Sequence, residues 1–204
     1  IFSKNRALQL HALLSSLEHY SSGNYSVDVI YRYEDQHKNT VPISEFPNVN
    51  FIAENNFKED TINSIKSSEH CMFLVDDMMY KNPVNYDMIT TILQNNPSVL
   101  TLSLRMGLHL NYCYPMSSKQ DIPTGNVNSG MFVWDWSQGN LDWNYPLSVD
   151  GHIFRTPELM AWMWHLDFKN PNTFESELQK IRKTFALPKL MCCFTSSKVF
   201  NVPA

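Results

Sequence analysis

The run Cys71-Met72-Phe73-Leu74-Val75-Asp76-Asp77 constrains this chain more than any other stretch. Five apolar or near-apolar residues lead without interruption into two adjacent carboxylates, and Met78-Met79-Tyr80 resume the apolar pattern at once. A run that short and continuous is the pattern of a strand buried on both faces, as in a parallel sheet covered by helices. Such a strand delivers the residues after it to the carboxyl edge of the sheet, where open α/β sheets hold their ligands. Two like charges beside a buried strand repel and resist desolvation, so they need a compensating partner. A hard divalent cation such as Mg²⁺ or Mn²⁺, carrying a phosphate-bearing substrate, meets that need. An exposed acidic turn is the competing reading of the same two residues.

At 204 residues the chain is long enough for a sizeable core, and one domain over 1–204 is the most economical division. A hydrophobic share of 43% against 18% charged residues argues for a folded globule and against disorder. The formal charge of −4 gives no general reason to bind nucleic acid or an anionic membrane. An acidic protein that takes an anionic substrate then needs a metal or local Lys/Arg. No apolar run reaches membrane-spanning length and no signal peptide is visible, so no integral membrane segment and a cytoplasmic location are expected. Cys71, Cys113, Cys192 and Cys193 contain no C-x-x-C pair, and buried free thiols in a reducing compartment are favoured over a zinc site. Asn24-Tyr25-Ser26 fits a glycosylation sequon, a triplet common by chance.

Periodicity supplies the elements. Ile1-Phe2-Ser3 is the tail of a first strand; Ser3 or Asn5 can cap a helix with Ala7, Leu10, Leu14 and Leu17 along one stripe, stopped by Ser21-Ser22-Gly23. Val27 to Tyr33 and Val49 to Ala53 read as strands, and Asp60 can cap a short helix, Thr61 to Ser68. Asn82-Pro83 suits a helix start, and Ser98 to Leu104 and Met131 to Trp136 are further strands. The stretch from Arg105 to Gly130 is irregular and polar, and a loop that long is usually functional. Thr156-Pro157-Glu158 opens one helix; Asn172 to Glu175 opens another with Phe174, Leu178, Ile181 and Phe185 as its buried stripe. Alternating strands and helices predict an α/β fold: a Rossmann-like domain with a mostly parallel central sheet flanked by helices.

The chemistry-bearing residues then fall on one predicted rim. Asn5 and Arg6 follow the first strand, where free backbone N–H groups and a guanidinium can grip a diphosphate, although no glycine-rich phosphate loop is present. Asp35 ends the second strand and is a candidate ribose or base contact; Asp76 and Asp77 end the fourth. Asp150, beside Gly151, can be presented on a tight turn as a base for an acceptor hydroxyl, an ordinary Asp-Gly turn being the alternative. His152 is a candidate phosphate contact or metal ligand, against the plainer reading of a satisfied core imidazole. Arg105, at the head of the irregular loop, is a further candidate for substrate contact. The tryptophans of the second half can stack on sugars, but aromatics at that density are more often core.

In this order the pattern resembles the nucleotide-sugar-dependent glycosyltransferases of the GT-A fold, broadly the family-two-like bacterial group. The matching pieces are Phe2-Ser3-Lys4-Asn5-Arg6-Ala7-Leu8-Gln9-Leu10, Phe73-Leu74-Val75-Asp76-Asp77 as the D-x-D-type region, Val149-Asp150-Gly151-His152, and Asn170-Pro171-Asn172. Val75 stands where D-x-D has its first Asp, so the match is to x-D-D, with Asp77 the firmer metal ligand and Asp76 open between metal, sugar and ribose. The resemblance implies transfer of a sugar from a nucleotide-diphosphate donor, with Mn²⁺ or Mg²⁺, to a hydroxyl of a glycan, lipid-linked or small-molecule acceptor. It also implies a nucleotide-binding half over about 1–104 and an acceptor half over about 105–204, with Asp150 the base if the anomeric centre inverts. A nucleotidyltransferase of similar fold and a non-catalytic nucleotide- or sugar-binding module are the alternatives. The first of these is expected to carry glycines where this chain has Ser3-Lys4-Asn5-Arg6.

Overall fold

The computed structural model describes residues 1–34, 42–184 and 186–202. Strand β1 (Phe2–Lys4), helix α1 (Ala7–Tyr20), a two-residue strand β2 (Ser21–Ser22), and strands β3 (Val27–Arg32) and β4 (Val49–Ala53) build the first part. Helix α2 (Phe57–Ile65), β5 (His70–Met72), β6 (Met78–Tyr80), β7 (Val84–Asn85), α3 (Tyr86–Asn95) and β8 (Val99–Ser103) follow. The long loop carries a short hairpin, β9 (Tyr112–Cys113) with β10 (Ser118–Lys119), before β11 (Gly125–Asn128) and β12 (Met131–Asp135). Strand β13 (His152–Arg155), helices α4 (Thr156–Met163) and α5 (Pro171–Thr184), and strands β14 (Leu190–Phe194) and β15 (Val199–Asn201) complete the described chain.

Strands β1, β3 and β4 pair in parallel in the order β1-β3-β4. A second sheet runs β11-β12-β14-β8-β13-β5. The two are joined through the residues just after β5. The Phe2 N–H donates to the Leu74 carbonyl at 2.9 Å, and the Asp76 N–H donates to the Phe2 carbonyl at 3.1 Å. This corrects the expectation of a mostly parallel sheet. Strand β13 inserts antiparallel between β5 and β8, and β12 runs antiparallel to both β14 and β11. The physical reason is local. Gly151, at φ 70°, turns the chain at the sheet edge so that the four residues after it run back across the sheet. The sequence shows this only as an Asp-Gly turn.

The two faces of the sheet are covered separately. Alternating side chains divide consecutive residues between them: Phe73 packs with Phe2, Phe154, Phe174 and Leu178, while its neighbour Leu74 packs with Leu13, Leu17, Ile89 and Leu93. Thus α1 and α3 cover one face, and α2, α4 and α5 the other. Cys192 and Cys193 fall on opposite faces for the same reason, and all four cysteines are buried free thiols. The helices begin where side chains satisfy their open N–H groups. Asn56 accepts the Glu59 N–H, so α2 starts four residues before the expected Thr61, and Asp60 reaches back to the Asn55 and Asn56 N–H groups. Likewise Asn85, not Asn82-Pro83, caps α3, and Asn170, not Asn172, accepts the Thr173 N–H at the start of α5. Phe174, Leu178 and Ile181 are the buried stripe of α5; Phe185 lies outside the described residues.

Trp134 and Trp143 belong to this core. Their rings meet edge to face at 5.0 Å, and each indole N–H is satisfied by a backbone carbonyl: Trp134 by Trp143, Trp143 by Leu110. Trp162 packs against the same cluster, whereas Trp164 is exposed. Among the described residues, no helix is long and apolar enough to cross a membrane.

Candidate active site

A cleft of about 780 Å³ opens at the rim where β1, β3, β4 and the segment after β5 end. The antiparallel course of β13 is what completes it. A reversed strand presents its amino end at the rim where its neighbours present their carboxyl ends. Asp150 therefore arrives beside Asp76 and Asp77, although 73 residues separate it from Asp77 (150 − 77). Gly151 is held on both sides, its N–H donating to the Phe73 carbonyl and its carbonyl accepting from the Leu104 N–H, each at 2.8 Å. The carboxylate is thus carried on a fixed corner.

The two adjacent aspartates differ in their surroundings. Asp76 is buried, and both oxygens are engaged: Oδ2 accepts the Lys4 N–H at 3.1 Å and Oδ1 faces the Arg6 guanidinium at 3.5 Å. Burial raises its proton affinity, opposed by a Ser3 hydrogen bond, the Lys4 N–H and Arg6. Asp77 is more open, with 23% of its side chain accessible; its partners are Asn201 Nδ2 at 3.4 Å and Arg6 Nη1 at 3.8 Å. Both contacts are long, so Asp77 keeps lone pairs for a further ligand. Asp150 faces the same space. Burial, the largest cause, pushes its carboxyl up to about 6; Arg105 and a hydrogen bond from Asn201 act against this, and Glu175 and Asp77 act with it.

Arg6, Asp76, Asp77 and Asp150 all line the cleft, together with Asn170, Pro171 and Asn172 at the start of α5. Asn5, Arg105 and His152 are placed elsewhere. Asn5 takes the left-handed conformation at φ 55° and its side chain accepts the Glu34 N–H at 2.9 Å, making it the corner between β1 and α1. Arg105 pairs with Asp142 at 3.2 Å, and Asp142 in turn is gripped by Gln120, a polar cluster that anchors the long loop. His152 is fully buried on β13 with its Nδ1 on the Pro146 carbonyl, and burial pushes its imidazole down to about 3. It is a neutral core histidine whose Nε2 has no hydrogen-bond partner among the described residues, and it does not line the cleft. Asp35 lies outside the described residues.

Asn201 had no signal in the sequence, and Glu175 carried only that of a helix start, whereas its carboxylate accepts the Ser148 hydroxyl and the Val149 N–H. Asn201 sits on β15, which pairs with β6 beside the carboxylates, and the Val202 N–H donates to the Asp77 carbonyl at 2.6 Å. Among the described residues, no group of three or more His, Cys, Asp and Glu is placed to hold a metal ion. Asp77 still fits a hard divalent cation of the kind that takes one or two carboxylates, with phosphate oxygens and water completing its shell. Asp76, with both oxygens already taken, fits it less well. A second cavity of about 580 Å³, near Tyr25, Asp28, His70 and Asp87 at the opposite rim, contains none of these groups.

No protein-family model matches the chain. The bifunctional glycosyltransferase pgtA of Dictyostelium discoideum is 31% identical over 181 residues, an alignment covering 78% of this chain and 24% of that protein. The chain thus spans about a quarter of the curated relative it matches. Among solved structures, S. aureus TarS 1-349 in complex with UDP superposes with a TM-score of 0.61 at 13% identity, covering 100% of this chain and 60% of that one. A second S. aureus TarS structure gives 0.54 at 15% identity, covering 99% of this chain and 36% of that one. The chain is thus similar in sequence to part of a glycosyltransferase, and it shares the fold of the TarS structures.

Proposed function

We propose that this chain transfers a sugar from a nucleoside-diphosphate donor to an acceptor hydroxyl, with the donor seated in the cleft at the carboxyl rim of the sheet. The observation that carries the reading is the convergence of Arg6, Asp77 and Asp150 on that one cleft. An isolated acidic turn does not draw in a guanidinium and a third carboxylate from distant parts of the chain. The UDP-bound state of the TarS structure supports a uridine nucleotide as the first donor class to try.

The residues divide the work. Arg6, 41% exposed at its side chain and held only loosely by Asp76 and Asp77, is free to turn its fork onto a diphosphate. Asp76 holds the β1–α1 corner through the Lys4 N–H and keeps Arg6 aimed into the cleft. Asp77 is the residue to hold Mg²⁺ or Mn²⁺, whose chemistry there is neutralisation of charge developing on the departing diphosphate. Asp150 accepts the proton of the acceptor hydroxyl; the freed oxygen bonds to the anomeric carbon as the bond to the diphosphate oxygen breaks, inverting that centre. Burial raises the proton affinity of Asp150, which strengthens it as a base for that proton transfer. Binding of a nucleoside-diphosphate sugar that requires Mn²⁺ and is lost in Asp77→Ala tests the reading. Metal-indifferent binding would remove Asp77 from its role.

A further inference from the structure

Helix α5 presents two working stripes. One is the apolar stripe of Phe174, Leu178 and Ile181 that packs into the core. The other is polar and runs along Glu175, Gln179 and Arg182, positions four and three residues apart and therefore on one face. All three grip the segment that leads to Asp150. Arg182 holds the carbonyl and side-chain oxygens of Asn144, the latter at 2.7 Å. Gln179 Nε2 donates to the Leu147 carbonyl at 3.0 Å. Glu175 Oε1 accepts both the Ser148 hydroxyl, at 2.8 Å, and the Val149 N–H, at 3.0 Å. The Asp150 N–H then donates to that same Ser148 hydroxyl oxygen at 3.2 Å. The contacts form a splint along the segment, ending at the carboxylate.

We propose that Glu175 is the positioning residue for Asp150. This rests on the reading of Asp150 as the base. One carboxylate oxygen fixes two consecutive residues, and through Ser148 it fixes the backbone of the third. Glu175 cannot be replaced by solvent in this role without loss, because Ser148 and Val149 are buried and water there would have to satisfy both donors at once. A base on a turn freed at its amino side wanders from the acceptor hydroxyl, and displacement of about 1 Å can cost about 100-fold in rate. Glu175 also lines the cleft, but the donor contacts assigned to Arg6 and Asp77 come from β1 and the segment after β5, so loss of this contact falls on turnover more than on donor affinity.

The test uses the full chain and three variants, Glu175→Ala, Glu175→Gln and Asp150→Asn, each measured for transfer, donor binding and hydrogen–deuterium exchange of the 147–151 backbone. Glu175→Ala is expected to lose roughly 10- to 100-fold in kcat with a much smaller change in donor affinity, and to exchange faster at 147–151. In Glu175→Gln the amide oxygen can accept from both donors, so most of the lost kcat should return. A merely structural role would lower activity and donor binding together and show no such recovery. Unchanged exchange at 147–151 in Glu175→Ala, or unchanged kcat, overturns the inference while leaving Asp150 as base. Transfer retained in Asp150→Asn overturns the reading of the base itself, and the inference falls with it. Should Glu175→Ala not fold, Ser148→Ala removes one link of the same chain and is expected to give a smaller kcat loss in the same direction; no loss there overturns the inference too.

Discussion

Replacing Asp150 by Asn should stabilise the folded protein at neutral pH while removing its proposed chemistry. Asp150 has its carboxyl pushed up from 3.8 to about 6, with burial the largest cause. A group with a folded-state pKa above its unfolded value binds its proton more tightly when folded, so ionisation costs stability. That cost is absent below the unfolded value, grows as pH rises between the two values, and is complete above the folded one. Roughly two powers of ten in proton affinity, at about 1.4 kcal/mol each, set a ceiling of about 3 kcal/mol. Contact of the carboxylate with the cleft reduces this to about 1–2 kcal/mol. Urea unfolding in a chelator, at about pH 7.5, should show the variant more stable by that amount, with the gain shrinking steadily as pH falls from about 6 to about 4. A variant less stable than the parent at neutral pH would refute the reasoning, as would a gain that does not change with pH.

Two further outcomes follow from the same corner. Gly151→Ala places a side chain at φ 70°, where its Cβ would lie 3.1 Å from Val199 Cγ2 and 3.3 Å from Met78 Cε. The left-handed backbone alone costs about 1–2 kcal/mol, so the thermal midpoint should fall by roughly 2–8 °C, and an unchanged midpoint would contradict the strain assigned here. Arg105→Met leaves Asp142 without its cation and should cost on the order of 2–3 kcal/mol in urea unfolding. Because Arg105 also favours the ionised form of Asp150, the acid limb of the transfer pH profile should move to higher pH; a profile that moves down would refute that coupling.

Much of the α/β plan was legible because it rests on periodicity. Leu10, Leu14 and Leu17 bury as their spacing implies, with Ala7 half-buried at the head of the stripe; in the run into Asp76-Asp77, Cys71, Phe73 and Leu74 are buried and Met72 and Val75 half-buried. Helix starts were harder, since Asn56, Asn85 and Asn170 compete with nearby polar residues that are equally able to cap, and tertiary position decides among them. The reversal at Gly151 was not legible: four residues of strand after an Asp-Gly pair carry no direction in sequence, yet that direction sets Asp150 against Asp77. His152 shows the complementary limit, because a histidine two residues from a carboxylate reads as site chemistry until β13, buried on both faces between β5 and β8, encloses it. Asn201 and Glu175 act through contacts 124 and about 26 residues distant in sequence, and no local pattern encodes such pairs.

The most direct measurement is calorimetric titration of UDP and of UDP-linked sugars into the chain with and without Mn²⁺, repeated for Asp77→Ala and Asp150→Asn. One UDP-sugar should bind in the presence of Mn²⁺, lose that binding in chelator and in Asp77→Ala, and keep it in Asp150→Asn while its transfer stops. Donor binding that ignores both the metal and Asp77, or transfer that survives in Asp150→Asn, would contradict the site as assigned.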